Sequence, residues 1–407
     1  MAASAKVGSF TLNTVTGNQA ITGVGFQPKA MIFWTAREFG GDQEYEECLG
    51  VATSSTARWV WTSNYCDYCD QASSDYDLTK CIQLFTAGAL STAADFVSND
   101  ADGFTINVTT ANATARTIYY KAIGGADVSA FAGDFALGTT TGNLAETGVG
   151  FQPKAVLFVH GPKNTTGATI TNIHQLGIGV GLSSTSRWSN YYIGTNATTS
   201  DEQSIQITTR CIISISTAAA IDEAVDYVSN DADGFTVNRI TKSATDFTVG
   251  YLALGGTAQY AAGTFAQPGV TGNQGVTGTG FTPVGEFFSA EMKASGGTGT
   301  AHSDKMIGAA TSTTARAVTS IHAQNGTDSS QEPDTLASTT LCLQNIAGAG
   351  TNLAGADFIS HDADGFTVNW TTVDATARQM AYLAIGSAAA GGAAVLNSWK
   401  NLLGVGL

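Results

Sequence analysis

Charge is scarce in this chain. Only 13% of its 407 residues are Asp, Glu, Lys or Arg, where an ordinary soluble domain carries about a quarter. The 18 Lys+Arg are outnumbered by 33 acids, so no basic stripe exists to neutralise phosphates, and a nucleic-acid partner is excluded. The five histidines, His160, His174, His302, His322 and His361, stand singly, which speaks against a metal centre or triad built on clustered imidazoles. No run of about 18 apolar residues occurs, which excludes a membrane-spanning helix. Residues 1–7 show no basic stretch followed by an apolar one; the expectation is synthesis in a cytoplasm without classical secretion. Walker, Gly-x-Ser-x-Gly and His-x-x-x-His motifs are missing, and Gly-Ile-Gly-Val-Gly at 177–181 has no helix after it to bind a phosphate.

What the chain does have is self-similarity. The block Thr-Gly-Asn-Gln-Ala-Ile-Thr-Gly-Val-Gly-Phe-Gln-Pro-Lys-Ala at 16–30 returns at 141–155 and, more loosely, at 271–285. Asn-Asp-Ala-Asp-Gly-Phe-Thr-Ile-Asn at 99–107 returns at 230–238 and 361–369, so that Phe104, Phe235 and Phe366 are spaced by 131. Arg58, Arg187 and Arg316 recur between the blocks, as do Asp95, Asp226 and Asp357. Lys+Arg against Asp+Glu is 7 against 12, 6 against 11 and 5 against 10 in 1–126, 127–257 and 258–407, so each third carries -5. A period of that length fits a whole domain rather than a solenoid unit. The predicted organisation is three domains, 1–126, 127–257 and 258–387, followed by a linker and tail at 388–407. Low charge with abundant Gly, Thr, Ala, Ser and Asn suits a surface covered by neighbours.

Inside each copy the pattern is that of strands. Phe104, Ile106 and Val108 alternate with Thr and Asn, as do Phe235 with Val237 and Phe366 with Val368, the period of a half-buried strand. Apolar runs after Pro28 and Pro153 read as core strands opened by proline. Helix-forming stretches are almost absent, and the fold class predicted is all-β: three tandem antiparallel β-sandwiches of jelly-roll type. Short Gly/Ala linkers allow either a pseudo-threefold ring or a linear row.

Several residue groups are candidates for chemistry. The Asp-Ala-Asp-Gly elements hold Asp100 and Asp102, Asp231 and Asp233, Asp362 and Asp364. They partly match a calcium loop, but Thr109, Ile240 and Thr371 stand where its bidentate Glu belongs. The favoured reading is a hairpin turn, with calcium as the alternative, and no other cofactor is called for. The recurring arginines and aspartates travel with no nucleophile, so an ion pair made once per domain is expected. Cys81, Cys211 and Cys342 occupy one position of the repeat and read as buried thiols. Cys48, Cys66 and Cys69 belong to the first copy alone; one CxxC without a neighbouring His is a weak zinc signal, and a disulfide or free thiols are expected. Around it Trp59, Trp61, Tyr65, Tyr68 and Tyr76 alternate with Asp67, Asp70, Asp75 and Asp77, after an acidic run at 42–47. Aromatic faces beside carboxylates suit stacking on sugars, which makes Trp61, Tyr65, Tyr68, Asp67 and Asp70 a candidate glycan site. The competing reading puts alternate aromatics in the core and the acids on a solvated turn. A hydrolase needs paired carboxylates in a groove, and only these loops could supply them. In the tail, Val395, Leu396, Trp399, Leu402 and Leu403 fall on one face of a short helix, which is expected to anchor the protein to another chain.

The Thr-Gly-Asn-Gln block with its following strand, together with Asp-Ala-Asp-Gly-Phe-Thr-Val-Asn, resembles repeats of structural proteins of tailed bacteriophages, over about 380 residues. The third copy departs at Val284-Gly285, where contacts should differ. The resemblance implies a non-enzymatic virion protein with no catalytic residues to carry over. The expectation is an external capsid decoration on the virion exterior, with capsid subunits as partners. The alternative is a tail-fibre or adhesin component that binds host glycans.

Overall fold

The computed structural model describes residues 2–39, 44–66, 71–86, 88–161, 170–195, 202–244, 246–291, 302–324, 334–347 and 350–389. Among them there is no helix. Repeat 1 comprises β1 Ser4–Thr11, β2 Gly17–Thr22, β3 Pro28–Phe39, β4 Glu44–Ala52, β5 Arg58–Cys66, β6 Gln71–Asp77, β7 Ile82–Thr86, β8 Ala89–Asp100, β9 Gly103–Thr110 and β10 Thr117–Gly124. Repeat 2 follows with β11 Val128–Ala136, β12 Gly142–Thr147, β13 Pro153–Gly161, β14 Ile170–Thr171, β15 Ile173–Gly181, β16 Arg187–Thr195, β17 Gln203–Ile207, β18 Ile212–Ile215, β19 Ile221–Asp231, β20 Gly234–Thr241 and β21 Thr248–Gly256. Repeat 3 runs through β22 Gln259–Ala266, β23 Gly272–Thr277, β24 Pro283–Ala290, β25 His302–Ser312, β26 Ala315–Gln324, β27 Asp334–Ser338, β28 Leu343–Ala347, β29 Thr351–Asp362, β30 Gly365–Thr372 and β31 Gln379–Gly386.

Each repeat is a sandwich of a larger sheet on a four-stranded one. In repeat 1 the orders are β1-β10-β3-β4-β5-β6, with β14 of repeat 2 added beside β6, and β2-β9-β8-β7; repeats 2 and 3 reproduce both orders without such an added strand. The first and last strands interleave as in a jelly roll, with β10 between β1 and β3 and β2 beside β9, whereas the middle strands run as two meanders. Local sequence accounts for the pieces. Pro28, Pro153 and Pro283 open β3, β13 and β24, where a missing N–H costs no ladder bond. Phe104, Ile106 and Val108 are buried while Thr105 and Asn107 are not, as the alternation predicts. Gly50, Gly179 and Gly308 recur because a Cβ there would lie 1.9, 1.8 and 2.1 Å from the carbonyl oxygens of Cys81, Cys211 and Cys342; the two sheets touch at that point.

Four apolar clusters fill the sandwiches, one each in repeats 1 and 3 and two in repeat 2. The largest cluster belongs to none of them. It joins Trp34, Leu49 and Trp59 of repeat 1, Leu157, Ile178 and Trp188 of repeat 2, and Phe287, Ile307 and Leu383 of repeat 3. All these residues lie on the larger sheets, so the three larger sheets turn their outer faces toward a common axis and the four-stranded sheets face away from it. The linear row is thereby ruled out in favour of the pseudo-threefold ring.

Three equivalent seams close it. Ala132 N–H donates to Thr53 Oγ1 at 3.1 Å across repeats 1 and 2, and Val7 N–H donates to Thr311 Oγ1 at 3.2 Å across repeats 1 and 3. Between repeats 2 and 3, Ser186 Oγ donates to the Ala262 carbonyl at 3.2 Å. At one end of the axis Asp127 gathers the connections: its carboxylate accepts from Thr257 Oγ1 and from Ala388 N–H, at 3.1 and 3.0 Å. That end also holds the Asp-Ala-Asp-Gly turns and is called the near end. The opposite end is called the far end; residues 40–43, 67–70, 162–169, 196–201, 292–301 and 325–333 lie outside the described residues.

Candidate functional site at the three-repeat junction

The tryptophans of the first copy turn out to be rivets between repeats. Trp59 Nε1 donates to the Tyr251 carbonyl at 2.9 Å, and its counterpart Trp188 donates to the Tyr382 carbonyl at 2.9 Å. The third counterpart is Ala317, also buried in the central cluster. Trp61 is fully buried and donates from Nε1 to the Gln175 carbonyl at 2.8 Å. Glycines make room for both rings: a Cβ on Gly250 would meet the Trp59 indole, and one on Gly161 the Trp61 indole, at 2.7 and 2.1 Å. Trp61 therefore offers no face to a sugar, a correction to the glycan-stacking reading. Two neighbouring aromatic rings, of Tyr45 and His174, lie 6.3 and 5.0 Å from that of half-buried Tyr65. Asp67, Tyr68, Asp70 and Cys69 lie outside the described residues.

The acidic run is likewise not a solvated turn throughout. Glu46 and Glu47 are each 1% exposed, with partners from distant parts of the chain. Glu46 pairs with the buried Arg116, and burial raises its carboxyl above the usual range despite that arginine. Glu47 joins all three repeats: Lys305 Nζ donates to its Oε2 at 2.9 Å, and the Tyr192 hydroxyl donates to its Oε1. Lys305 also sits 5.2 Å from the centre of the Tyr192 ring, and burial lowers its pKa. Beside this group His174 bridges two partners at 2.6 Å each, Tyr45 through Nδ1 and Glu202 through Nε2. A carboxylate only accepts, so Nε2 carries the hydrogen.

Further toward the near end Lys121 stands where repeats 2 and 3 have Leu252 and Leu383 of the central apolar cluster. Burial pushes its ammonium down to about 7. None of these groups was marked by sequence reasoning beyond the acidic run. The retained pair Trp59 and Trp188 was the available signal, since a tryptophan kept at one position of two copies asks for a partner surface.

The turn residues behave alike in every copy. Asp102 accepts from the N–H groups of Gly23 and Gly25 at 3.1 and 2.5 Å, and Asp233 from those of Gly148 and Gly150 at 3.2 and 2.5 Å. Asp364 accepts from Gly280 N–H at 2.6 Å. Asp100, Asp231 and Asp362 each accept from a serine and a threonine hydroxyl at 2.7–2.8 Å. Asp102, Asp233 and Asp364 thus stitch the β2–β3 turn to the β8–β9 turn and its equivalents, while Asp100, Asp231 and Asp362 tie the β8–β9 hairpin and its equivalents to themselves. The recurring ion pair forms as Arg187–Asp226 at 3.3 Å and Arg316–Asp357 at 2.5 Å, while in repeat 1 Lys80 takes Asp95 at 2.6 Å. Cys48, Cys81, Cys211 and Cys342 are free and buried, and burial pushes the Cys48 thiol up to about 12. At the departure noted in copy three, Lys29 and Lys154 donate to the Val128 and Ala258 carbonyls of the next repeat at 2.6 and 3.0 Å. Val284 instead packs on the central apolar cluster. The tail residues Val395, Leu396, Trp399, Leu402 and Leu403 lie outside the described residues.

No family model matches the chain, and no curated protein matches it. Among solved structures it is aligned with the insecticidal delta-endotoxin Cry8Ea1 from Bacillus thuringiensis at 7% identity and a TM-score of 0.12, over 92% of this chain and 54% of that one. PNGF-II is aligned at the same identity and TM-score, over 89% of this chain and 98% of that one. The chain thus spans about half the length of the endotoxin, and neither likeness carries an argument.

Proposed function

We propose that this chain is a structural component of a bacteriophage particle, an external decoration of the capsid that sits on a threefold or quasi-threefold position. The observation that supports this reading best is the closed ring of three like sandwiches about one axis. A monomer with pseudo-threefold symmetry can offer three similar surfaces to three similar neighbours. Among the junction's buried charged groups, Glu47 of repeat 1 pairs with Lys305 of repeat 3, while Glu46 and Arg116 pair within repeat 1. The near end, where the repeats are most alike and where Ala388 is held by Asp127, is the end we assign to the capsid. Residues 395–403, which follow Ala388 in the sequence, carry an apolar stripe that suits an anchor into a capsid subunit, with Trp399 central.

The test is reconstitution on particles that lack this protein. Full-length chain should co-sediment with the shells at a fixed stoichiometry, and a 1–387 chain should stay folded in the supernatant. Full-length chain that leaves the shells bare, or a truncated chain that loads fully, would sink the reading. Retention of the isolated protein on host polysaccharide would instead favour an adhesin.

A further inference from the structure

The three seams of the ring are built on one plan, yet only two of them are spanned by a peptide linker. Repeat 1 meets repeat 3 through non-covalent contacts alone, such as Val7 with Thr311. A plan shared by three interfaces creates an ambiguity: at high concentration a repeat of one chain fits, in backbone terms, into a slot of another chain's ring. What distinguishes the slots must be side chains that differ between repeats and meet at the axis.

Such a layer exists. Counting three residues back from Gly50, Gly179 and Gly308, which share the same close approach, gives Glu47, Leu176 and Lys305 on β4, β15 and β25. All three are buried. Glu47 and Lys305 pair at 2.9 Å across repeats 1 and 3, and the ring of Tyr192 from repeat 2 lies against both partners. A ring that takes repeat 1 or repeat 3 in the wrong number buries two like charges in this layer, or one charge against leucine without a partner; only three copies of repeat 2 would bury none. Either charged arrangement leaves an ion desolvated and uncompensated, which is far costlier than what a well-made pair gains over apolar packing.

We propose that the Glu47–Lys305 pair specifies the composition of the ring, admitting repeats 1 and 3 only as one copy of each and rejecting rings that hold either without the other. The pair's task is order, and the leucine in the equivalent slot of repeat 2 supplies the control. The double variant Glu47→Leu with Lys305→Leu places leucine in all three positions, so it should fold with a urea midpoint close to that of the parent. After refolding at high protein concentration, size-exclusion chromatography with light scattering should show the parent as a monomer and the double-leucine chain with several-fold more oligomer. The reversed pair, Glu47→Lys with Lys305→Glu, should return the chain to monomer. A double-leucine chain that refolds to monomer as cleanly as the parent overturns the proposal, and one that fails to fold overturns it too, since the pair would then be needed for stability. A reversed pair that oligomerises as much as the double-leucine chain also contradicts it.

Discussion

The near and far ends of this molecule show how differently one repeated plan is kept. In the near-end turns the three copies use the same side chains for the same bonds: Asp102, Asp233 and Asp364 hold glycine N–H groups of the neighbouring turn in every repeat. Toward the far end the copies solve equivalent positions in different chemistry. The interior site filled by Val108 in repeat 1 and Trp370 in repeat 3 is, in repeat 2, an Arg239 whose guanidinium grips Glu223 with two bonds of 2.6 Å. Turns demand particular residues because backbone conformation and donor geometry are fixed by them: at Gly103, Gly234 and Gly365, φ is +152°, +152° and +146°, and a Cβ would fall within 1.9 Å of a carbonyl oxygen. A core position demands only volume and satisfied polar groups.

That contrast can be broken most severely at Arg239. Arg239→Leu strands Glu223, itself fully buried, and should cost about 3–5 kcal/mol, read as a lower urea midpoint. The pair Arg239→Trp with Glu223→Ala, which copies the Trp370 and Ala354 of repeat 3, should recover most of that loss. Should the single and double variants prove equally unstable, the far-end sites are not interchangeable in the sense argued.

Lys121 gives the next largest effect, with opposite sign. Its folded-state pKa of about 7 lies below the ordinary 10.5, so between those values the unfolded chain holds a proton that the folded chain does not. Its contribution to stability therefore rises as pH increases from about 7 to about 10.5. Lys121→Leu, matching Leu252 and Leu383, should stabilise the chain at pH 7 by on the order of 2–4 kcal/mol, with the gain shrinking toward pH 10. A variant less stable than the parent at pH 7 would contradict the sign.

Smaller effects are expected at the near end, and they should be equal. Asp102→Ala, Asp233→Ala and Asp364→Ala should each cost about 1–2 kcal/mol and agree within about 0.5 kcal/mol; one outlier would show that the copies are not equivalent there. The smallest effect belongs to calcium. Because the turn carboxylates already accept protein donors, adding calcium or a chelator should leave the calorimetric melting temperature unchanged. A rise of several degrees with calcium would restore the metal-loop reading.

Much of the fold was legible because its signals are local. The 131-residue period, the alternation at Phe104, Ile106 and Val108, and the prolines opening β3 and β13 each needed only a short window of sequence. The site was not legible for the same reason. Trp61 advertises a large buried or stacking face but not whether it turns toward its own sandwich, a sugar or another domain. The acids at 46 and 47 sit among loop-like residues, and the partner of Glu47 is 258 positions away. No window of sequence joins those two residues; only closure of the ring does.

The central claim is that a closed pseudo-threefold block caps a threefold position of a particle, near end inward. A cryo-EM map of the particle that carries this chain tests it most directly. Three sandwich densities are expected around each occupied threefold or quasi-threefold axis, with the Asp-Ala-Asp-Gly turns toward the shell and density for residues 390–407 entering a capsid subunit. Three sandwiches strung along a fibre, or a ring seated with its far end on the shell, would contradict it.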